Sequence, residues 1–178
     1  MRCTKRAFIL GLVSGLLLAA AALADNLLAD KSTTAKSGVK ITLPKGWKTD
    51  ERGGSRNLLL ARAPTSDKDN TGEFQTLFSL DADTITKLDG RAQQAAVAKK
   101  CDNYHAIEEP TPITIGGADG VMFGGTFTTG SVKLRSRQYL LLQNGRVYIL
   151  TFTALDSAWP NYAKAIEACA ASLTLPVK

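Results

Sequence analysis

Leu140-Leu141-Leu142-Gln143-Asn144-Gly145-Arg146-Val147-Tyr148-Ile149-Leu150 spells out a β-hairpin. Asn144-Gly145 is the dipeptide favoured by a two-residue type I′ turn, because both central residues need positive φ. Apolar and β-prone side chains flank it on both sides, so Val132–Gln143 and Arg146–Ala154 are predicted as antiparallel partners. One step upstream, Thr129-Gly130 marks another turn. Before it, Gly116-Gly117-Ala118-Asp119-Gly120 separates Ile113-Thr114-Ile115 from Val121-Met122-Phe123, a second hairpin signal. The stretch from Ile113 to Ala154 therefore reads as a meander.

Two helices bracket this meander. Gly90 through Lys100 is rich in alanine, glutamine and lysine; Asp89 stands at its N-cap and lysines stand at its C-terminal end. After Ala154, Asp156 or Ser157 is placed to cap a last helix with Pro160 in its first turn. Ile166, Ala170 and Leu173 share one face of that helix. Further upstream, Val39, Ile41 and Leu43 alternate with Lys40 and Thr42 as in a half-buried strand, and Pro44-Lys45-Gly46 turns the chain before Trp47. Asn57–Ala63 and Phe74–Ala82 read as further strands around a charged loop holding Asp67, Lys68, Asp69 and Asn70. Strands, a helix, a meander and a final helix specify an α+β domain with a central antiparallel sheet flanked by helices. Single strands do not alternate with crossover helices, which disfavours a doubly wound nucleotide-binding fold.

The N-terminus has a different character. Arg2, Lys5 and Arg6 precede an apolar run from Ala7, and Ala22-Leu23-Ala24 supplies the small residues of a secretory cleavage site. The expected organisation is a signal peptide over 1–24, a flexible polar segment over 25–38 and a single domain over 39–178. An uncleaved leader is the competing reading, since the run is just long enough to span a bilayer. Without the three basic residues of the leader, the formal charge of +6 falls by half. Net charge then gives no basis for a nucleic-acid partner, and export argues against one. The destination is periplasmic or secreted, with membrane contact limited to an uncleaved leader or a basic strand face.

Compartment also decides how the cysteines read. With Cys3 removed, Cys101 and Cys169 remain, and an even pair in an exported domain points to a disulfide. In the chain-entropy description, closing so long a loop contributes about 4 kcal/mol. The bridge would tie the two helices together on the same side of the sheet. Two buried free thiols are the alternative.

Catalytic signals are weak. The glycines at 116, 117 and 120 lack the Gly-Lys-Ser/Thr ending of a phosphate loop. His105 is the single histidine in the chain, so a triad would have to depend on it, and no serine stands in a Gly-x-Ser-x-Gly setting. Cys101 and His105 have ligand spacing, but two ligands do not make a metal site. Glu108 and Glu109 are adjacent on an extended chain and point to opposite sides, which is wrong for an acid–base pair. No catalytic, cofactor or metal residue is assigned. Lys133, Arg135 and Arg137 are the one charged pattern of interest. On a strand they share one face at roughly 6.5–7 Å intervals, with Val132 and Leu134 turned to the core. This ladder is either a docking surface for an anionic partner or a solvated strand face that resists aggregation. As a docking surface, it should tolerate three glutamates with little loss of stability.

Val39-Lys-Ile-Thr-Leu-Pro-Lys-Gly-Trp47, Ile113-Thr-Ile-Gly-Gly-Ala-Asp-Gly120, Arg146-Val-Tyr-Ile-Leu-Thr-Phe-Thr-Ala154 and a last helix ending Ala171-Ser172-Leu173 follow an order that resembles PsbP/DcrB-like domains. The resemblance runs from Val39 to about Leu175. It implies a PsbP-like α/β/α sandwich with helices on both faces, in a largely non-enzymatic superfamily of photosystem subunits, bacterial envelope proteins and chaperone-like adaptors. DcrB-type members are often lipoproteins, and this chain lacks a cysteine at the end of its apolar run. No functional residue of the family maps onto it. The reading is an exported, non-enzymatic binding or accessory protein of the bacterial envelope that docks a macromolecular protein partner. The alternative is a periplasmic hydrolase with an unrecognised site.

Overall fold

Asn144 and Gly145 have φ of 54° and 72°, as a two-residue hairpin turn requires, and Gly116 and Gly117 repeat the arrangement at 58° and 78°. Between them Gly130, at 61°, opens the third turn. These three tight turns generate the meander β8 (Asp102–Ile115), β9 (Ala118–Thr129), β10 (Val132–Gln143) and β11 (Arg146–Leu155). The computed structural model describes residues 27–35, 37–50, 57–84 and 88–176; the leader and its cleavage site lie outside them. Upstream come β1 (Thr33–Thr34), β2 (Lys40–Ile41), β3 (Lys48–Thr49), β4 (Asn57–Arg62), β5 (Asp67–Lys68), β6 (Glu73–Phe74) and β7 (Leu77–Asp83). Helix α1 is Gly90–Ala98 and helix α2 is Trp159–Ala171. Seven strands form one antiparallel sheet in the order β3-β4-β7-β11-β10-β9-β8, while β1–β2 and β5–β6 are separate two-stranded ribbons. From β7 the chain crosses through α1 to the far edge, then returns strand by strand until β11 lies beside β7.

Strand alternation divides the core between two faces. On one, Tyr139, Leu141, Tyr148, Leu150 and Phe152, with Phe78 and Leu80 of β7, pack against Trp159, Ile166, Cys169 and Leu173 of α2 and its end. On the other, Phe123, Leu140 and Val147 pack with Leu88 and with Val97 of α1. The helices thus lie on opposite faces, as the PsbP resemblance implies and the expected disulfide does not allow. Cys101 and Cys169 are both free thiols, separated by the sheet. Cys101 follows α1, its N–H donating to Val97 O at 3.1 Å. Cys169 is fully buried under α2, where burial pushes its thiol up to about 12. The thiolate is the reactive form of cysteine. Burial raises the Cys101 thiol too, but Cys101 is partly exposed, so alkylation of the native protein should label it first and Cys169 only after unfolding. A Cys101–Cys169 cross-linked peptide in non-reducing mass mapping would refute this arrangement.

Two more expectations change. The segment over 25–38 is not a loose tail where it is described. Ala29 N–H donates to Leu43 O at 2.9 Å, Thr33 and Thr34 pair with Ile41 and Lys40, and Ala35 is buried. Most of its side chains are small and polar, and the segment docks through its backbone together with Leu28 and Ala35, which pack on the main core. Nor do Asp156 and Ser157 cap α2: its N-cap is Ala158, with no side-chain bond. Asp156 pairs instead with Lys133 at 2.9 Å, and Ser157 donates to Asp69. Asp89 does cap α1, accepting from Ala92 N–H at 3.1 Å.

Strand β8 is longer than the sequence pattern predicts, beginning at Asp102 rather than Ile113. Its pairing with β9 is broken by three irregularities, at Asp102/His105, Ala106/Glu108 and Glu108/Thr111. It is an edge strand, so Pro110 and Pro112 are tolerated and the bulges blunt an otherwise adhesive border.

Candidate functional site

Lys133, Arg135 and Arg137 share one face of β10, as their spacing predicts, while Leu134 is buried on the other. The face they occupy is the one that α2 crosses. Trp159, in the first turn of α2, places its ring 4.9 Å from the Arg135 guanidinium and 5.5 Å from that of Arg137. Such contacts combine cation–π attraction with shielding from water. Arg137 is only 9% exposed.

Glu108 comes across from the edge strand to meet both arginines. Arg137 Nε donates to Glu108 Oε2 at 2.8 Å, Arg137 Nη2 donates to Glu108 Oε1, and Arg135 Nη2 donates to the same Oε1 at 3.0 Å. Arg137 Nη1 donates to Glu167 Oε1 of α2 at 3.0 Å. Burial alone would push the Glu108 carboxyl up, but the hydrogen bonds and charges of Arg137, then Arg135, outweigh it and hold it low. For Arg137 the corresponding balance runs upward. Burial opposes its charge, and bonds from Glu108, Tyr139 and Glu167 more than restore it. Glu108 and Arg137 therefore each hold the charged form more firmly than burial alone would allow.

Register explains how Glu108 reaches this far. Glu108 pairs with Gly124, and Gly124 pairs with Arg137, so the glutamate and the arginine lie one strand apart with no side chain between them. A Cβ on Gly124 would sit 2.4 Å from Glu108 Oε2 and 2.9 Å from Ser136 O. Only glycine leaves room for the carboxylate to lie across β9.

The ladder is consequently not an open cationic surface along its length: Lys133 is half exposed, but Arg135 and Arg137 are largely covered. Its three cations are matched by Glu108, Glu167 and Asp156, and Arg137 is covered. Three glutamates here would not be tolerated cheaply, because one would bury a charge beside Glu108. Sequence reasoning missed Glu108, Glu167 and Trp159. The separations of 29 and 30 residues from Arg137 leave no local signal.

Beyond the cluster, the same face runs on over β9 and β8. A groove of about 480 Å³ opens there, lined among others by Asn103, His105, Thr126, Thr128, Ser131 and Lys133. Its floor is polar. Asn103 Nδ2 donates to Thr128 Oγ1 at 3.0 Å, and Ser131 Oγ donates to Thr71 O at 3.0 Å. The loop between β5 and β6 borders it and is held by Asp69, whose carboxylate accepts from Ser157 Oγ, Thr71 Oγ1, Thr71 N and Gly72 N. The Ser157 hydroxyl, then Thr71, lower the Asp69 carboxyl to about 2. Among the described residues no three His, Cys, Asp or Glu side chains gather as a metal site requires, so Cys101 and His105 remain without further ligands.

A seven-stranded antiparallel sheet with one helix on each face, reached by this crossover and meander, is the PsbP-like fold. No protein-family model matches the sequence, and no curated protein matches it. Solved structures do. Cyanobacterial PsbP from Synechocystis superposes with a TM-score of 0.60 at 12% identity, over 94% of this chain and 99% of that one. LpqN of Mycobacterium tuberculosis, described as involved in cell envelope biogenesis, superposes at 0.58 with 15% identity, over 85% and 94% of the two chains. PA94 of Pseudomonas aeruginosa does so at 0.56 with 16% identity, over 83% and 98%. Identities this low establish a shared fold; site chemistry has to come from the residues.

Proposed function

We propose that this protein is an exported, non-enzymatic accessory protein of the cell envelope that docks a macromolecular partner on the sheet face beside α2. The observation that carries the reading is the groove itself. Helix α2 covers one end of the face, and the β8–β9 end beside it stays open around Thr126, Thr128 and His105. The ion-paired cluster lies beside it on the same face. Glu108, one of the two adjacent glutamates of β8, has its oxygens committed to two arginines, which leaves it poorly suited to move protons. The leader, and a fold shared with an envelope-biogenesis protein, support the compartment.

Photo-crosslinking in cells tests this reading. A photoreactive residue at Thr128 or Ser131 should capture one discrete species, and the same residue at Lys164 on the exposed side of α2 should not. Capture of identical species from Lys164, or none from the groove, would overturn the proposal.

A further inference from the structure

The groove has a chemical bias that its shape alone does not reveal. His105 pairs with Thr126 across β8 and β9, and Thr126 pairs with Arg135 across β9 and β10, so the three form one transverse row on the face that carries Trp159. Directly opposed residues on neighbouring strands stand about 5 Å apart at Cβ. Lys133 lies in the next row, opposite Thr128. His105 and the Thr126 hydroxyl make no hydrogen bond to any described residue. Arg135 commits one N–H group to Glu108 and leaves the others of its fork unused. Lys133 meets Asp156 with one of three donors, and its side chain is 54% exposed. No carboxylate is among the residues lining the groove. Of the acidic groups around it, Glu108 and Asp156 are engaged by cations, Asp69 accepts from the Ser157 and Thr71 hydroxyls, and Asp102 stands opposite Thr128 on β8.

The backbone leading into this row is irregular. Pairing slips between Asp102 and His105, and Asn103 within that bulge has a φ of 52°. Asparagine tolerates this left-handed conformation better than most residues, and here its amide is tied to Thr128. A bulge re-aims the side chains that follow it. In this chain it delivers the single histidine opposite Thr126.

We propose that the row His105–Thr126–Arg135, with Lys133, is a binding site for a phosphate monoester group. His105, Thr126 and Lys133 line the groove and Arg135 adjoins it in the same row, each able to donate, with no carboxylate among the lining residues. That donor set suits a small oxyanion, and Arg135 supplies the fork that phosphate oxygens match. The groove leaves room beyond the phosphate for the sugar or glycerol that bears it. This assignment rests on the groove being the docking surface and names the chemistry it takes.

Titration calorimetry of the intact protein at low salt tests it, using glucose 1-phosphate and, separately, vesicles of phosphatidylcholine with and without phosphatidic acid. Binding of glucose 1-phosphate, weakened at least fivefold in His105→Gln and in Thr126→Val and weakened by added salt, is the expected result for a soluble source. Binding confined to vesicles with phosphatidic acid, with the same losses, places the phosphate on a lipid headgroup. The melting temperatures of both variants show that they are folded. Lack of binding in every arm, or binding that both variants retain in full, overturns the proposal. Cross-links from Thr128 that persist in His105→Gln would leave the docking reading standing while the phosphate site falls.

Discussion

Gly124→Val should destabilise the protein by about 3 kcal/mol or more, because it removes the one passage through which Glu108 reaches Arg137. The added Cβ would lie 2.4 Å from Glu108 Oε2 and 2.9 Å from Ser136 O. The first of these contacts is a side chain that can leave, but the second is backbone in a central strand and cannot. Displacing Glu108 leaves Arg137, 9% exposed, with Glu167 as its remaining carboxylate. It also loosens β8, already interrupted on both sides of Glu108. Urea unfolding measures the effect. Gly117→Ala is the comparison: a Cβ there meets nothing within 4 Å, and the cost is conformational, about 1 kcal/mol at a φ of 78°. A Gly124→Val loss no larger than the Gly117→Ala loss would show that the carboxylate has another route.

Glu108→Ala should cost about 2–3 kcal/mol, less than the roughly 3–5 kcal/mol of a fully buried pair, since the Glu108 side chain keeps 17% exposure. The loss comes mainly from leaving two guanidiniums against Trp159 without their shared acceptor. In a double-mutant cycle with Arg137→Met, the second substitution should cost much less in the Glu108→Ala background than alone. The pH dependence has a definite sign. Arg137 and Arg135 hold the Glu108 carboxyl below its ordinary value of 4.5 despite burial, so its contribution is complete above that pH. As pH falls through the lower, folded-state value the contribution disappears. Glu108→Gln removes that component, so the stability difference between wild type and Glu108→Gln should shrink on acidification. Asp69, lowered to about 2, titrates in both proteins and cancels from the difference. A difference that stays constant down to the acid transition would mean that Glu108 gains nothing from its charge.

Much of the architecture was legible because its causes are local. Asn144-Gly145 and Gly116-Gly117 demand positive φ and take it. Asp89 caps α1, and the alternation in β10 and β11 places Tyr139 and Leu141 on one face and Leu140 on the other. The resemblance to PsbP-like domains added that helices cover both faces, and they do. Strand β8 was only partly legible. Asp102–Pro112 carries charges, two prolines and bulges, features an edge strand accepts but which erase the period-two signal.

By itself, then, the sequence determined the turns, the helices, the antiparallel meander and the residues of β10 that point the same way. Each follows from torsional preference or from a period of two or 3.6 within one segment. Only the tertiary structure decided what those residues meet. Lys133, Arg135 and Arg137 read as a free basic ladder until α2 brings Trp159 and Glu167 over them and β8 brings Glu108 across Gly124. Cys101 and Cys169 read as a bridge until the sheet comes between them. Thr33 and Thr34 read as loose until their backbone finds β2. Each of these outcomes depends on which face a distant segment lands on. A strand pattern says that two faces exist, but the crossover and the register, set by the packing of the whole core, say which partner occupies each one.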